Sequence, residues 1–423
     1  MGNTTQASAG LVVVGGGIAG ITTAVEAAEA GRQVFLLEQE HTLGGRVLRM
    51  NEYFPKMCPP ACGLEINFRR MRQSQRVKVF TGAQVLAIKG QPGAYELEVE
   101  LAPRRVTEAC TLCGKCLPAC PVETADSWNY GLGTRKAIYL PSPHSYPPRF
   151  AVDADACPGE SCSRCVPYCP VDAIHLEERT RRMTLSAAAV VVATGWKPYD
   201  ASRLDLLGFG RFPDVVTNVM MERLASRSGP TGGKILRPST GKPAQRVVFV
   251  QCAGSRDDNH LPYCSAVCCA ATLKQVTYLR RAMPEAEVHV FYIDLRTHGF
   301  LEALLTRAEK DEKLQLHRGK VAQVEAAADG SLRVTAEETR SGERHQVAAD
   351  LVVLATGMQP QSRIEGVSYD QNGFVASGDG GSGLFGAGCA RRPAEVVTSV
   401  QDATAAAARA LGAMRGPQQN PAR

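Results

Sequence analysis

Residues 11–46, LVVVGGGIAGITTAVEAAEAGRQVFLLEQEHTLGGR, decide the fold of the first part of the chain. They open with a short apolar run, Leu11–Val14, that is typical of a buried parallel strand. Three glycines then follow in a G-x-G-x-x-G pattern: Gly15, Gly17 and Gly20. Apolar and small residues recur at helical spacing up to Gly31, and a second apolar run, Val34–Leu37, ends at Glu38. This order predicts a βαβ unit that binds a dinucleotide.

The glycines of this pattern have a physical purpose. Because they lack a Cβ atom, they allow a tight turn, let the backbone approach a pyrophosphate and let the helix pack close to the strand. The helix N-terminus presents unpaired N–H groups to the negative charge. Glu38 is expected to accept hydrogen bonds from a ribose diol. The alternative is a glycine-rich turn in an unrelated α/β protein.

Composition limits the classes of function. The chain has 423 residues, enough for two or three domains, and is 44% hydrophobic and 21% charged, as in ordinary soluble proteins. No apolar run approaches the roughly 18–20 residues of a membrane span, and residues 1–10 lack the features of a signal peptide. We therefore expect a cytoplasmic protein with no direct membrane span. The formal net charge of +6 comes from scattered Lys and Arg, which indicates solvated faces and no nucleic-acid partner.

The fifteen cysteines are the strongest anomaly of the composition. Disulfides are rare in the cytosol, so grouped cysteines indicate metal or redox chemistry. One group has the spacing C-x2-C-x2-C-x3-C-P, the bacterial ferredoxin run that ligates [4Fe–4S] clusters. Its members are Cys110, Cys113, Cys116 and Cys120, followed by Pro121. A second group repeats the run with a longer first gap: Cys157, Cys162, Cys165 and Cys169, followed by Pro170.

The two runs are expected to exchange ligands, because the fourth cysteine of such a run ligates the other cluster. One cluster is therefore expected on Cys110, Cys113, Cys116 and Cys169. The other is expected on Cys157, Cys162, Cys165 and Cys120. The alternative is a zinc site, and the tight spacing before each proline argues against it.

A second Rossmann-like strand, RVVFV, begins at Arg246. A nicotinamide-dependent protein would continue with a glycine loop, whereas this chain continues with QCAGS, residues 251–255, and further cysteines. We therefore expect that the second domain has kept the fold and lost the nicotinamide. A third cluster is predicted on four cysteines: Cys252, Cys264, Cys268 and Cys269. The alternatives are a disulfide or a set of buried thiols.

The GGR sequence at residues 44–46 resembles the FAD site of flavoproteins with two dinucleotide-binding domains. Thr194-Gly195 and the stretch 384–388 resemble later FAD contacts of the same proteins. The resemblance implies an α/β fold with two Rossmann domains of the thioredoxin/glutathione reductase type and an inserted ferredoxin-like module. The residues implied to bind FAD are Gly15, Gly17, Gly20, Glu38, Gly44, Gly45, Arg46, Val85, Thr194, Gly195, Gly388 and Cys389.

These motifs predict how the chain is divided. The FAD domain is predicted in three parts, residues 9–103, 181–210 and 361–415. The inserted module is predicted at 104–180 and the second Rossmann-like domain at 211–360. Within the FAD domain, 78–89 and 94–101 are predicted as two strands of a meander. Leu64, Ile66 and Phe68 predict a buried segment.

Taken together, the motifs resemble the flavin-and-cluster A subunit of heterodisulfide reductase. The resemblance also covers residues 131–143, 251–269 and 385–396. The segment FPKMCPPACGLEINF at 54–68 differs from that family, and the chain starts at the FAD strand and stops after the last FAD helix. In these two respects it resembles the A subunit of the quinone-interacting (quinone-modifying) membrane-bound oxidoreductase of sulfate reducers.

This resemblance implies an electron-transport subunit of an oxidoreductase that is cytoplasmic and reaches the membrane through its partners. The implied partners are a second flavin/iron–sulfur subunit and a haem-containing membrane subunit. Electrons would pass between menaquinol and adenylylsulfate reductase in sulfate reduction. Because the cofactors hold the chemistry, no catalytic acid or base is expected.

Two other functions stay open. The first is a self-contained NAD(P)H-dependent disulfide reductase that uses Cys58 and Cys62 as its active pair. These two cysteines could instead ligate a cluster, and the interpretation that we favour is two buried thiols. The second is a bifurcating subunit of the heterodisulfide reductase type, which rests on family analogy alone.

Overall fold

The computed structural model describes residues 5–361, 363–376 and 382–414. Two compact units are present. The first is drawn from Met1–Leu48, Ala61–Trp196 and Pro360–Arg423, and the second from Arg49–Pro60 and Lys197–Gln359.

The elements are numbered along the chain. The α-helices are α1 (Ile18–Glu29), α2 (Gly45–Leu48), α3 (Pro60–Gln73), α4 (Cys116–Ala119), α5 (Asn218–Ala225), α6 (Cys268–Ala282), α7 (Glu302–Ala308) and α8 (Val396–Ala413). The strands up to the end of the inserted segment are β1 (Thr5–Val14), β2 (Val34–Glu38), β3 (Val77–Thr81), β4 (Ala83–Gln91), β5 (Ala94–Leu101), β6 (Glu123–Ala125), β7 (Thr134–Lys136), β8 (Ile138–Tyr139) and β9 (Ala151–Val152). The later strands are β10 (Arg181–Val192), β11 (Trp196–Pro198), β12 (Val215–Thr217), β13 (Arg246–Ala253), β14 (Glu287–Tyr292), β15 (Leu314–Ala326), β16 (Leu332–Glu338), β17 (Arg344–Ala349), β18 (Leu351–Thr356), β19 (Met358–Pro360) and β20 (Leu384–Gly386).

The first unit is built on a seven-stranded sheet in the order β3-β2-β1-β10-β5-β4, with β20 beside β10. The strands β3, β2, β1, β10 and β20 are parallel, whereas β5 and β4 are antiparallel to their neighbours. Apolar residues of β1, such as Leu11 and Val13, pack with α1 and α8 on one face, and Val12 and Val14 pack on the other. Strand β2 and the apolar runs of β1 and β10 are buried on both faces, as expected for a doubly wound sheet, whereas the edge strand β3 is partly exposed.

The predicted βαβ unit is present as β1, α1 and β2. Strand β1 is longer than its apolar run because it pairs with β10 from Thr5 onward. The run of hydrophobic residues marks only the part of the strand that is covered on both faces. Helix α1 ends at Glu29, and Gly31 follows with a φ of +88°, which favours glycine at a helix end.

The prediction of a single strand at 78–89 was wrong. Gly82 divides it into β3, which pairs with β2, and β4, which pairs with β5. Gly82 has a φ of +70°, and its N–H donates to Glu40 O at 3.0 Å, so the chain turns there and changes partner. The prediction of a buried segment at 64–68 was partly wrong. Leu64 and Phe68 are buried, but Ile66 is 62% exposed because helix α3 turns it to solvent.

The inserted segment forms two short ribbons, β6-β7 and β8-β9, in the first unit. Its core combines aliphatic and aromatic side chains, such as Ile138 and Phe150, with cysteine side chains of both ferredoxin runs. This small core lies where the cysteines converge.

The second unit has a seven-stranded sheet in the order β12-β18-β13-β14-β15-β16-β17. The first five strands are parallel, and β16 and β17 return antiparallel. This is a Rossmann-like arrangement with apolar cores on both faces of the sheet.

A buried ionic network fixes the segment Arg49–Pro60 to the rest of the second unit. Lys274 Nζ lies 2.9 Å from Glu222 Oε1 and donates to Glu52 O at 2.6 Å. Tyr278 Oη donates to Glu222 Oε2 at 3.1 Å. Since the side chains of Lys274 and Glu222 are almost fully buried, each charge depends on the other for compensation.

Candidate cofactor sites

The glycine loop follows β1 and is held by contacts that no side chain could share. A Cβ atom on Gly15 would lie 2.3 Å from Ala193 O, and one on Gly20 would lie 1.8 Å from Gly15 O. The Gly15 N–H donates to Leu37 O at 2.7 Å. These glycines therefore let β1, α1 and β10 approach one another closely.

Gly17 serves a different purpose. It is the N-cap of α1 with an ordinary φ of −75° and no side-chain cap, and a Cβ atom placed there would meet nothing within 4 Å. The first N–H groups of a helix have no intrahelical acceptor. The N-terminus of α1 therefore opens onto space that suits a pyrophosphate.

Glu38 joins this loop to the end of β2. Its buried carboxylate accepts hydrogen bonds from Gly16 N at 2.7 Å and Glu40 N at 2.8 Å. A carboxylate has acceptor capacity for more than two donors. Two backbone N–H groups thus fix the Glu38 carboxylate beside the glycine loop.

The GGR sequence packs against the same loop. Gly44 N–H donates to Gly16 O at 2.8 Å, and a Cβ atom on Gly45 would lie 2.9 Å from Gly17 Cα. Arg46 Nε donates to Trp196 O at 3.1 Å and its Nη1 donates to Tyr130 Oη at 3.0 Å.

The sequence did not predict the hydrogen-bond partners of Arg46. Tyr130 comes from the inserted segment and follows the 3-10 helix Ser127–Asn129 in a left-handed conformation. Asp126 caps that short helix by accepting from the N–H groups of Trp128 and Asn129. Asp126 and the glycines at 131 and 133 are local signals for a turn, but none of them indicates a contact with Arg46.

The remaining predicted FAD residues lie on the same sheet or at its ends. Val85 is buried on β4, opposite Val99 of β5. Thr194 and Gly195 follow β10, and Gly195 has a φ of +71° with open space around it. Gly388 N–H, after β20, donates to Asp402 Oδ2 at 2.7 Å.

Cys389 has local partners. Its thiol donates to Ala394 O at 3.3 Å and lies 3.7 Å from Ser399 Oγ. Burial raises the pKa of this thiol. It is therefore a neutral thiol at pH 7.

The first ferredoxin run and the last cysteine of the second run meet at one cavity. The cavity contains about 330 Å³ of atom-free space, including its mouth. Four cysteines line it: Cys110, Cys113, Cys116 and Cys169. The Ala173 N–H points to Cys169 Sγ at 3.1 Å.

A second cavity in the inserted segment contains about 300 Å³. Its four cysteines are Cys120, Cys157, Cys162 and Cys165. The Gly159 N–H points to Cys157 Sγ at 3.4 Å. The structure therefore brings together the two sets of four that the exchange of Cys120 and Cys169 predicts.

The third cysteine group surrounds a cavity of about 320 Å³ in the second unit. Its cysteines are Cys252, Cys264, Cys268 and Cys269. The register between β13 and β18 shifts between Val250 and Ala253, and Cys252 has a φ of +54° there. Cys268 and Cys269 begin α6. The irregularity in β13 and the start of α6 thus bring Cys252, Cys268 and Cys269 to the same cavity.

Strained backbone is concentrated at the three cavities. Among the described residues, nine non-glycine residues have a positive φ, and six of them lie in the cavity loops: Leu112, Ser163, Asp172, Cys252, Arg256 and Ala266. Such conformations persist where the surroundings fix them, and they gather at functional sites.

These groups of buried, crowded thiols are chemically suited to binding iron. Burial raises the pKa of Cys116, Cys165 and Cys252 to about 11, and neighbouring cysteines add to each rise. Burial also raises the pKa of Cys268. Four crowded thiols ionise together only when a cation compensates them, and metal binding supplies that compensation while releasing protons.

The described residues contain no group of three or more Cys, His, Asp or Glu side chains arranged to hold a single metal ion. Every cysteine is a free thiol. The expectation of two buried thiols at Cys58 and Cys62 was wrong for Cys62, which is exposed on α3, whereas Cys58 is half-buried in the second unit.

In the described part of the chain, no helix is long and apolar enough to cross a membrane.

Comparison with known proteins identifies relatives of both units. A family described as "NAD(P)-binding Rossmann-like domain" matches residues 13–77, and one described as "FAD-NAD(P)-binding" matches 297–359. Thioredoxin reductase from T. acidophilum has a TM-score of 0.55 at 15% identity, covering 96% of this chain and 98% of that one. The Lactococcus lactis enzyme has a TM-score of 0.54 at 15% identity, covering 96% and 99%. The fold is that of a flavoprotein with two Rossmann domains.

The sequence relatives are longer proteins. The A subunit of the ferredoxin/F(420)H(2)-dependent CoB-CoM heterodisulfide reductase of Methanosarcina acetivorans is 38% identical over 96% of this chain and 53% of its own length. An iron-sulfur A subunit of the CoB–CoM heterodisulfide reductase of Methanopyrus kandleri is 34% identical over 95% and 64%. The chain thus spans about half to two thirds of these curated relatives. Along nearly its whole length, the chain is similar in sequence to the corresponding part of these heterodisulfide reductase A subunits.

Proposed function

We propose that the chain is an electron-transfer subunit of an oxidoreductase, with FAD in the first unit and three [4Fe–4S] clusters. The observation that carries the proposal is the presence of three cavities, each lined by four cysteines, in a chain with one complete dinucleotide motif. FAD exchanges electrons in pairs or singly and the clusters exchange single electrons, so together they connect two kinds of redox partner.

The proposed ligand sets are supported by the cysteines that line each cavity. The first cluster takes Cys110, Cys113, Cys116 and Cys169. The second takes Cys120, Cys157, Cys162 and Cys165. The third takes Cys252, Cys264, Cys268 and Cys269. The residues proposed to hold FAD are Gly15, Gly17, Gly20, Glu38, Gly44, Gly45, Arg46, Val85, Thr194, Gly195, Gly388 and Cys389.

The protein residues bind and orient these groups. The N–H groups at the start of α1 face the pyrophosphate, and the Glu38 carboxylate accepts from the ribose. Arg46, held by Tyr130 and Trp196 O, contributes a fixed positive charge beside the loop. Backbone N–H groups pointing to Cys169 and Cys157 stabilise thiolate charge.

The finer assignment concerns the partners. The segment 54–68 resembles the A subunit of the quinone-interacting oxidoreductase of sulfate reducers. On that basis, the chain works with a second flavin/iron–sulfur subunit and a haem-containing membrane subunit, as a cytoplasmic subunit held at the membrane by them. Electrons then pass between menaquinol and adenylylsulfate reductase.

A second candidate is an NAD(P)H-dependent disulfide reductase, favoured by the likeness to thioredoxin reductases and by the exposed thiol of Cys62. A third candidate is a bifurcating subunit, since a relative from Methanothermobacter marburgensis is the A subunit of an H(2):CoB-CoM heterodisulfide,ferredoxin reductase. In the second unit, β13 contains Cys252 near its end and is not followed by a G-x-G-x-x-G loop, which weighs against binding of a nicotinamide.

The separating experiment is an anoxic titration of the FAD-loaded chain with NADH and then NADPH, following the flavin absorbance. Our proposal predicts no fast bleaching by either nucleotide, and full bleaching by dithionite as the positive control. Rapid stoichiometric bleaching by one nucleotide would contradict it and would favour the disulfide reductase.

A further inference from the structure

The three cavities differ in charge. Around the two cavities of the inserted segment, the lining side chains other than cysteine are neutral. The third cavity is lined by Arg256, Asp294 and Arg296 as well as its cysteines. Lys115 and Arg104 interact electrostatically with Cys113 and Cys110 of the first cavity, but neither lines it. Of the three cavities, the third is the one with arginine side chains in its lining, where fixed charge affects the electron affinity of a cluster most directly.

The two arginines are held in place. Arg256 follows β13 with a φ of +57° and pairs with Asp294. Arg296 Nη2 lies 3.2 Å from Asp294 Oδ2. Among the described residues that line the cavity, one carboxylate thus serves two guanidinium groups, which leaves one net positive charge there.

Both guanidinium groups face the thiols. Arg256 interacts with Cys252, and Arg296 interacts with Cys264. Both arginines line the same cavity as the four cysteines, so their charge lies beside the proposed cluster site.

We infer that Arg256 and Arg296 give the third cluster a higher reduction potential than either cluster of the inserted segment. Reduction adds one negative charge to a cluster, and positive charge nearby stabilises the reduced form. Within this chain, a cluster of the inserted segment is then oxidised by one electron while the third cluster is reduced by one. The second unit is the electron-accepting end, and a redox partner of higher potential takes electrons there. This inference rests on the proposed third cluster.

The test is a potentiometric titration of the full chain, purified anoxically with its clusters and followed by electron paramagnetic resonance. The third-cluster signal is identified as the one lost in Cys252→Ser. We expect it to appear at a higher potential than the other two in the wild type. Arg256→Gln and Arg296→Gln should each lower its midpoint and leave the other two clusters unchanged.

Two controls separate charge from structure. Arg256→Lys keeps the charge and should retain most of the wild-type potential, and Arg307→Gln, an exposed arginine on α7 of the same unit, should change nothing. A third-cluster midpoint below the others in the wild type would overturn the inference, as would Gln variants with unchanged midpoints. Wild-type chain with iron for only two clusters would overturn the third-cluster proposal itself, which iron analysis distinguishes from a shifted potential.

Discussion

Substitution of Gly17 by alanine separates folding from FAD binding. A methyl group at this position meets no protein atom within 4 Å and requires no unusual φ. The protein cost is therefore limited to a less favourable helix N-cap, about 0.5–1 kcal/mol of unfolding free energy. The same methyl group extends into the space proposed for the pyrophosphate.

The expected loss of affinity follows from crowding the ligand. Adding one methyl group to a closely packed contact costs about 1–3 kcal/mol, which corresponds to roughly 5- to 140-fold weaker binding. The assay is FAD binding to the deflavinated chain by isothermal titration calorimetry, together with thermal unfolding of the FAD-free form. Gly412→Ala, at an exposed glycine of α8 with equally open surroundings, is the matched control and should bind FAD normally.

Wild-type FAD affinity in Gly17→Ala would refute this account of the loop. Loss of affinity accompanied by unfolding of the FAD-free form would also refute it, because the open space around Gly17 would then be wrong. The contrasting variant is Gly20→Ala. Its Cβ atom would lie 1.8 Å from a backbone oxygen, so both folding and binding should fail.

Three further predictions concern the other sites. Cys120→Ala should remove the cluster bound by the second cysteine run and lower the iron content by about four per chain, measured by iron analysis; loss of the first-run cluster instead would show that no ligand exchange occurs. Lys274→Met should lower the unfolding free energy in urea by about 3–5 kcal/mol because Glu222 is left as an uncompensated buried charge, and replacing both residues by apolar ones should cost less; equal costs would contradict the network. Burial, with His289 and then His345 adding to the effect, lowers the pKa of His317 to about 4. The unfolded state therefore binds the proton more readily, so stability present above about pH 6.5 should be lost as the pH falls toward 4; His317→Gln should melt with a weaker pH dependence, and an unchanged dependence would contradict the assignment.

The sequence was most informative where short-range pattern and chemistry coincide. The order of strand, glycines, helix and Glu38 predicted β1, α1 and β2, because each residue acts on its near neighbours. The sequence predicted that Cys120 groups with the second run because, in a ferredoxin run, the cysteine before the proline ligates the other cluster.

Other features depend on contacts that no local pattern records. Gly82 separates two strands because their partners differ, and the pairing partners are distant in sequence. The hydrogen bond from Arg46 to Tyr130 joins residues that are 84 positions apart in the sequence. Leu64 and Phe68 lie on the buried face of helix α3 whereas Ile66 lies on its exposed face, and the apolar character of the three residues alone did not distinguish these faces.

The charge at the third cavity also lay beyond sequence reasoning. In the sequence, nothing distinguishes Arg256 and Arg296 from other arginines. The fold brings both to the cysteines, together with Asp294. Arg256 has a left-handed backbone conformation and Arg296 lies in a loop, and neither belongs to a recognised sequence motif.

The central claim is that one chain holds both FAD and three iron–sulfur clusters. The most direct measurement is the FAD and iron content of the anoxically purified and reconstituted chain, with the clusters identified by electron paramagnetic resonance after reduction. The account predicts one FAD and about twelve iron atoms per chain, in three [4Fe–4S] clusters. A chain that retains FAD but binds no iron would contradict it.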